Sequence, residues 1–443
     1  MAMSSAKVHC SFVALIAVLT MSACSTVRSV WHRPVQTTET TTVVVEVPSP
    51  PPAPEPEPQP VRYVHEDAAL FADAAVTAWA QFERLWSSKT GLARATPDYN
   101  KLTPWDIASV LAANYSGHRL GLLDDAAYVG RMQKTLRTLQ HIPLYRKAVF
   151  NKTYIAETGR MAGRSGGVST TGYGWSATDL GRLLVWLKIV ARNDTMFQAD
   201  VQRVVDRIKL EESTAKGYMV GGMIGSRGQL WKFQEGRVGY EQYAARGFDF
   251  WGADVDSALD LKLNARPVDV LGVPILADRR GLDRLNSEPM ILIGLELGFD
   301  SDLEQLARNV LAAQQARFEK TGNVTMASED ALNIPPHFFY YYCVYCNGVP
   351  FTIDVATPGK KLDKPRWVST KATFGYHALM PSPYTKRALT LIEKARDQKG
   401  WSSGVFEANG KSTLTYDLNT AAVILEAALF VTTGRPLIDH ERD

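Results

Sequence analysis

Six times between Trp105 and Asn419 the chain passes through a short polar or aromatic segment into an apolar run with helical spacing. The entry segments are Pro104-Trp105-Asp106, Trp175-Ser176-Ala177-Thr178-Asp179, Gly239-Tyr240-Glu241, Asn286-Ser287-Glu288, Ser369-Thr370-Lys371 and Asp417-Leu418-Asn419. Ile107, Val110, Leu111 and Tyr115 follow the first, and Leu180, Leu183, Leu184 and Leu187 the second, so each run is a helix by its period. Longer, more charged helical stretches lie between them. A helix surrounded by others can be apolar nearly all round, whereas an outer one needs a wetted face. The alternation therefore predicts an all-α fold, an (α/α)6 toroid of six helical hairpins, with long loops on one face and the six entries gathered at one mouth.

The predicted helices span 66–87, 104–120, 124–141, 175–192, 196–210, 236–251, 254–262, 287–297, 301–320, 369–380, 383–397 and 417–432. Lys89-Thr90-Gly91, Lys216-Gly217 and Lys399-Gly400 read as helix stops, with Lys320-Thr321-Gly322 a weaker copy. Glycine takes the left-handed conformation that ends a helix, and a cation complements the helix C-terminus. A chain of 443 residues with 45% hydrophobic and 10% aromatic side chains can bury such a core. With 49 basic and 46 acidic residues the net charge is +3, and no basic block marks a nucleic-acid partner.

The N-terminus reads as an export signal. Lys7 precedes an apolar stretch, Phe12 to Met21, too short to span a bilayer, and Ser22-Ala23-Cys24 resembles the lipobox of bacterial lipoproteins. That resemblance implies a signal peptide over 1–23, lipidation of Cys24 and anchorage in the cell envelope, with Ser25 matching the outer-membrane sorting pattern; an ordinary cleaved signal is the alternative. Residues 24–61 form a Thr/Val-rich and then Pro-rich tether. Its proline tract, 48–60, reaches roughly 40 Å at ~3.1 Å per residue. A single catalytic-type domain is expected over 62–443.

Several segments resemble the bacterial domain-of-unknown-function family 3131. They are Thr103-Pro104-Trp105-Asp106-Ile107, Gly174 to Arg182, Gln234 to Arg246, Ser287-Glu288-Pro289, Ser328-Glu329-Asp330 and Ser369-Thr370-Lys371-Ala372. The resemblance covers about 66–432. It implies kinship with glucoamylase-like and β-1,2-glucanase-like (α/α)6 proteins of envelope or exopolysaccharide systems.

The residues at the expected mouth suit that chemistry. Glycoside hydrolysis needs one protonated carboxyl to assist the leaving oxygen and a second carboxylate to activate water or attack the sugar. Glu241 is the predicted general acid, following Tyr240 with Arg237 and Arg246 nearby, and a capping or ion-paired role is its structural alternative. Glu329 or Asp330, in a Ser-Glu-Asp loop, supplies the partner, with an N-cap-like turn as the structural alternative. Asp106 completes the catalytic candidates, although it and Asp179 also read as helix caps. Substrate contacts are assigned to Trp105, Trp175, Asp179, Glu235, Arg237, Tyr240, Glu288 and Lys371, with Trp231 and Tyr173 as further aromatic surfaces. No metal or cofactor is expected. Cys343-Val344-Tyr345-Cys346 lacks a second metal-binding pair and reads as a local disulfide or as two free thiols.

The expected function is an envelope-anchored glycoside hydrolase acting on an exopolysaccharide or β-glucan. The alternatives are a non-catalytic polysaccharide-binding or export lipoprotein, and a polysaccharide lyase using Tyr240, Arg237 and His377.

Overall fold

A computed structural model describes residues 65–335, 337–355 and 361–440. The expected signal peptide, Cys24 and the expected tether to residue 61 lie outside the described residues.

Six helices open at the predicted entries: α2 (Pro104–Arg119), α4 (Ala177–Asn193), α6 (Tyr240–Asp249), α9 (Ser287–Leu292), α11 (Thr370–Leu379) and α13 (Leu418–Thr433). Five start with a side-chain cap, from Thr103, Ser176, Asn286, Ser369 and Asp417, which accepts one of the backbone N–H groups left free at a helix start. The sixth, α6, starts at Gly239, whose φ of 95° excludes most side chains; its N–H is taken by Gln242 at 2.8 Å. Packing runs in cyclic order: α2 on α4, α4 on α6, α6 on α9, α9 on α11, α11 on α13, and α13 back on α2. Burial follows from that position. Helix α13 is buried almost continuously from Leu418 to Val431, whereas α3 (Asp125–His141) buries one stripe, Tyr128, Met132, Thr135, Leu136 and Leu139.

The outer members are α1 (Ala68–Leu85) against α13 and α2, α3 against α2, α5 (Gln198–Val205) against α4, α7 (Asp256–Leu259) against α6, α10 (Ser301–Thr321) against α9, and α12 (Pro383–Ile392) against α11. The stretch 254–262, predicted as one helix, is two short ones, α7 and α8 (Leu261–Asn264), because Asp260 leaves helical geometry and caps the second. Helix 287–297 changes to a π-turn over Ile293–Leu297.

The fold is not all-α. Connections expected to be loops form antiparallel strands among the described residues. β1 (Gly174–Trp175) pairs with β2 (Tyr218–Ile224), and β2 pairs with β3 (Leu230–Gln234). β4 (Ala265–Val270) and β5 (Val273–Asp278) form a hairpin. β6 (Glu329–Ile334), β7 (His337–Cys346), β8 (Val349–Val355) and β9 (Lys361–Leu362) form a four-stranded sheet. Ser328-Glu329-Asp330 thus leads into a strand rather than a loop. Of the glycine stops, only Gly322 ends a helix, in the left-handed conformation. Gly217 turns between strands and Gly400 lies in a two-residue strand, while Gly91 sits in a turn beyond the end of α1. Cys343 and Cys346 are buried on β7 as reduced thiols, not joined in a disulfide.

Glycines set the closest helix contact. A Cβ on Gly247 would come within 2.0 Å of the Gly181 carbonyl oxygen, and one on Gly181 within 2.4 Å of the Ala244 carbonyl. Helices α4 and α6 therefore touch backbone to backbone. Gly247→Ala is expected to lower stability by about 1–3 kcal/mol through overpacking. Urea unfolding measures it, and an unchanged midpoint would show that the two helices lie further apart.

Candidate active site

The N-terminal turns of all six inner helices contribute to one cavity of about 540 Å³. Trp105 and Asp106 come from α2, Asp179 from α4, Tyr240 from α6, Glu288 from α9, Lys371 from α11 and Asn419 from α13. Strands complete the wall with Phe233, Glu329, Asp330, Phe338, Phe339 and Tyr341. Helix N-termini carry partial positive charge, which favours carboxylates at this end of the bundle.

Glu288 is held as an acceptor from three sides. The Lys371 ammonium lies 2.8 Å from Oε1, Asn419 Nδ2 donates to the same oxygen at 2.6 Å, and the Tyr240 hydroxyl lies 3.0 Å from Oε2. The Tyr240 oxygen is also 3.0 Å from Glu329 Oε2. A phenol carries a single proton. Both contacts are full hydrogen bonds only when one of the two carboxyls bears a proton and donates it to the phenol. Burial, followed by the charge of Glu288, pushes the Glu329 carboxyl up to about 7, and so agrees with that count.

Asp330, the next residue on β6, accepts from Trp367 Nε1 at 2.7 Å and lies 3.7 Å from Lys371 Nζ. Its other oxygen has no hydrogen-bond partner, and burial raises the carboxyl to about 8 against the pull of Lys371. Burial also opposes the Lys371 ammonium, but Glu288, Asp330 and Asp417 outweigh it and its pKa rises.

A second group of carboxylates stands on the α2 and α4 side. Burial and then Glu235 push Asp179 up to about 7. Asp106 rises to about 6 through burial, although it accepts from the Thr103 backbone at 2.8 Å in a capping box. Glu235 Oε2 accepts from Ala177 N at 2.6 Å, at the start of α4. Between the groups, the Trp105 ring lies 6.0 Å from Tyr240 and 4.9 Å from the Arg182 guanidinium.

Arg182 lies under the floor and is fully buried. It donates to Asn419 Oδ1 at 2.6 Å and Ser109 at 2.8 Å, and contacts Glu296 and Glu426 at 3.3 and 3.2 Å. Glu296 sits on the π-turn and accepts the Tyr243 hydroxyl. The extra residue of that turn is one way a helix re-aims a side chain beside a functional site.

Of the sequence candidates, Trp105, Asp106, Asp179, Glu235, Arg237, Tyr240, Glu288, Glu329, Asp330 and Lys371 line the cavity. Two are placed elsewhere. Trp175 is a core residue that donates from Nε1 to the Val220 carbonyl at 2.8 Å and packs beside Tyr145. Glu241 is fully buried behind the wall, its carboxylate held by Arg280 at 2.5 and 3.0 Å and by Gln234 at 2.7 Å. Those partners leave no oxygen facing the cavity, which is the capping or ion-paired alternative. Asn419, Tyr341 and Arg284 were missed as site residues. Asn419 stood in an entry segment and Tyr341 in an aromatic run, but Arg284, at 4.1 Å over the Tyr341 ring and 2.7 Å from Asp354, carried no local signal. Among the described residues the one cluster with metal-ligand spacing is Glu66, Asp67 and His377. It lies outside the cavity wall, with Asp67 already paired to His377 and Lys386.

Solved structures place this architecture in a known class. An endo-β-1,2-glucanase from Chitinophaga pinensis, complexed with sophorotriose and glucose, matches with TM-score 0.58 at 11% identity over 84% of this chain and 97% of that one. An endo-β-1,2-glucanase from Talaromyces funiculosus, complexed with sophorose, matches with TM-score 0.59 at 13% identity over 84% and 86%. A glucoamylase-like protein from Bacteroides uniformis matches with TM-score 0.62 at 11% identity over 85% and 96%. The fold is that of glycoside hydrolase-like proteins. No curated protein matches the sequence. Residues 73–434 match the family described as "Protein of unknown function (DUF3131)", and the chain belongs to that family.

The geometry makes Glu241 structural. Glu241→Gln is expected to lower unfolding stability by roughly 2 kcal/mol, by breaking the buried bidentate contact that its carboxylate makes with Arg280. Urea unfolding checks this, and an unchanged midpoint would remove Glu241 from the scaffold.

Proposed function

We propose that the protein is a glycoside hydrolase that cleaves a neutral glycan, with an (α/α)6 toroid as its scaffold. The carrying observation is the Tyr240 hydroxyl set 3.0 Å from both Glu329 and Glu288 in a cavity that also holds a second raised carboxyl, Asp179. Glu329 is the general acid. Its proton is retained near neutrality by burial and by Glu288, and Tyr240 fixes the carboxyl in place. Asp179 is the partner carboxylate that activates water or attacks the sugar. Trp105 offers an aromatic surface between them, and Lys371 with Asn419 fixes Glu288. The endo-β-1,2-glucanase structures, which hold sophorose and sophorotriose, support a β-glucan as the substrate class.

Charge argues against a uronate polymer and with it against a lyase. Eight carboxylates but three cations, Arg237, Arg284 and Lys371, line the cavity. Each cation is engaged inside the protein: Arg237 with Gln234 and the Gly281 carbonyl, Arg284 with Asp354, and Lys371 with Glu288. Two of the three thus already carry a counter-charge from the protein, and the excess of carboxylates in the wall opposes a further one on the substrate. Lipidation at Cys24 and a tether over 24–61 would hold this domain in the cell envelope, at a bacterial outer membrane by the Ser25 signal, where it would meet an exopolysaccharide or β-glucan.

Mass spectrometry of products from β-1,2-glucan and other bacterial exopolysaccharides tests the reaction. Oligosaccharides carrying one added water per cleavage are expected. Glycan binding without products would instead establish a binding accessory. Glu329→Gln is expected to reduce kcat by about 10²- to 10⁴-fold.

The pH dependence follows from the same two groups. Asp179 must be ionised, so kcat/KM falls as pH drops below about 7; Glu329 must be protonated, so it falls as pH rises above about 7. A bell centred near neutrality is expected, with apparent values belonging to the coupled carboxylates. A profile flat from pH 5 to 9 would overturn the acid and base assignment.

A further inference from the structure

The β2–β3 hairpin carries two large aromatic side chains in water. Trp231 is 59% and Phe233 38% exposed, although a hairpin packed on a helical body has apolar surface to cover them. Alternation along β3 puts Trp231, Phe233 and Glu235 on one face and Leu230, Lys232 and Gln234 on the other. The partners confirm the two faces. Lys232 pairs in register with Gly222 and lies 5.5 Å from the Trp175 ring, and a Cβ on Gly222 would strike that ring at 2.1 Å. That face is turned to the protein body. On the other face, a Cβ on Gly221 would meet Glu235 Oε2 at 2.3 Å and Phe233 at 3.2 Å, and a Cβ on Gly225 would meet Trp231 Nε1 at 2.7 Å.

Two glycines thus leave bare backbone for the two rings to lie across. Glycine weakens a strand, and its presence inside one often marks a place where another group approaches closely. Here the approaching groups are the strand's own aromatics, held against the backbone with their outer surfaces in water. The line of side chains is continuous with the cavity: Phe233 and Glu235 belong to its wall, and Trp231 lies one alternation further out, about 7 Å along the strand.

We infer that this aromatic track is an outer binding subsite for the glycan chain that runs out of the cavity. The inference rests on the proposed glycan-cleaving function of that cavity. The occupant is the uncharged polymer itself, because the track presents chiefly ring surface, with the Lys152 ammonium set 5.8 Å over the Phe233 ring and so engaged by an aromatic face of the protein itself. The one lysine beside Trp231 in sequence, Lys232, is paired with Glu212 at 2.9 Å. Large rigid rings offer contact area at little conformational cost, which suits the C–H face of a pyranose.

The test compares wild type, Trp231→Ala and Trp231→Phe on β-1,2-glucan and on sophorotriose, with polymer affinity measured separately by affinity electrophoresis in the Glu329→Gln background and thermal melting as the control for folding. Expected for Trp231→Ala is a loss of polymer affinity of about tenfold, the factor that ~1.4 kcal/mol of lost contact produces. The ratio of kcat/KM for polymer to that for trisaccharide falls in parallel, and Trp231→Phe restores most of both. Equal losses on the two substrates, or undiminished polymer affinity in Trp231→Ala, would overturn the subsite while leaving the hydrolase reading intact. A wild type that neither binds nor cleaves β-1,2-glucan would overturn both, and shows in the wild-type lane alone.

Discussion

One buried guanidinium organises the centre of the molecule. Arg182 is inaccessible to water, and a charge in that position is tolerated only with partners for its N–H groups. It finds them on α2 through Ser109, on the π-turn through Glu296, and on α13 through Asn419 and Glu426. Hydrophobic contacts between inner helices leave their rotation and depth loosely specified, because Leu, Ile and Ala pack in many ways. Arg182 removes that freedom, since a slip of one residue on any of these helices strands a charge. Asn419 carries the constraint to the surface of the cavity. Its Oδ1 accepts from Arg182, and its Nδ2 donates to Glu288 at 2.6 Å. The orientation of a carboxylate in the cavity is thus set by an ion cluster beneath it.

The cavity is expensive to maintain. Asp179, Glu329 and Asp330 all have carboxyls raised to about 7 or 8, principally by burial. A carboxyl whose folded value lies above its unfolded value contributes stability below the unfolded value, and that contribution is lost as pH rises through the folded one. These three groups therefore stabilise the protein in acid and burden it above about pH 8. Six helix N-termini and Lys371 offset part of the burden but do not abolish it. The cluster makes sense where a proton must be held and released near neutrality, a use that core packing alone does not have.

What the sequence made legible was the inner layer. Entry segments such as Asp417-Leu418-Asn419 show both a capping residue and an uninterrupted apolar run, two local signals that agree. The strands were hidden because their signals are short or shared. His337 to Cys346 is aromatic throughout and lacks clean alternation, and β2 is interrupted by Gly221 and Gly222. Lys216-Gly217 and Lys399-Gly400 were read as helix stops because a left-handed glycine closes a hairpin as readily as it ends a helix. Glu241 looked catalytic for a similar reason. Its neighbours Tyr240 and Arg237 are local, but the residue that claims its carboxylate, Arg280, is 39 positions away and leaves no trace in the local pattern.

The division of labour between helices and strands follows from these facts. Helix N-termini are fixed by the packing of the whole bundle, so the groups they carry, Trp105, Asp106, Asp179, Tyr240, Glu288, Lys371 and Asn419, hold their positions to within the tolerance of the core. Glu329 is the exception that joins the two parts. It reaches the helix-borne site from a strand, and is held there by Tyr240 from α6 and opposed in register by Tyr341. In the proposed reaction, a proton donor on the strand layer lets the sheet that forms part of the cavity wall also aim the acid, whereas the charges that tune it stay with the helices.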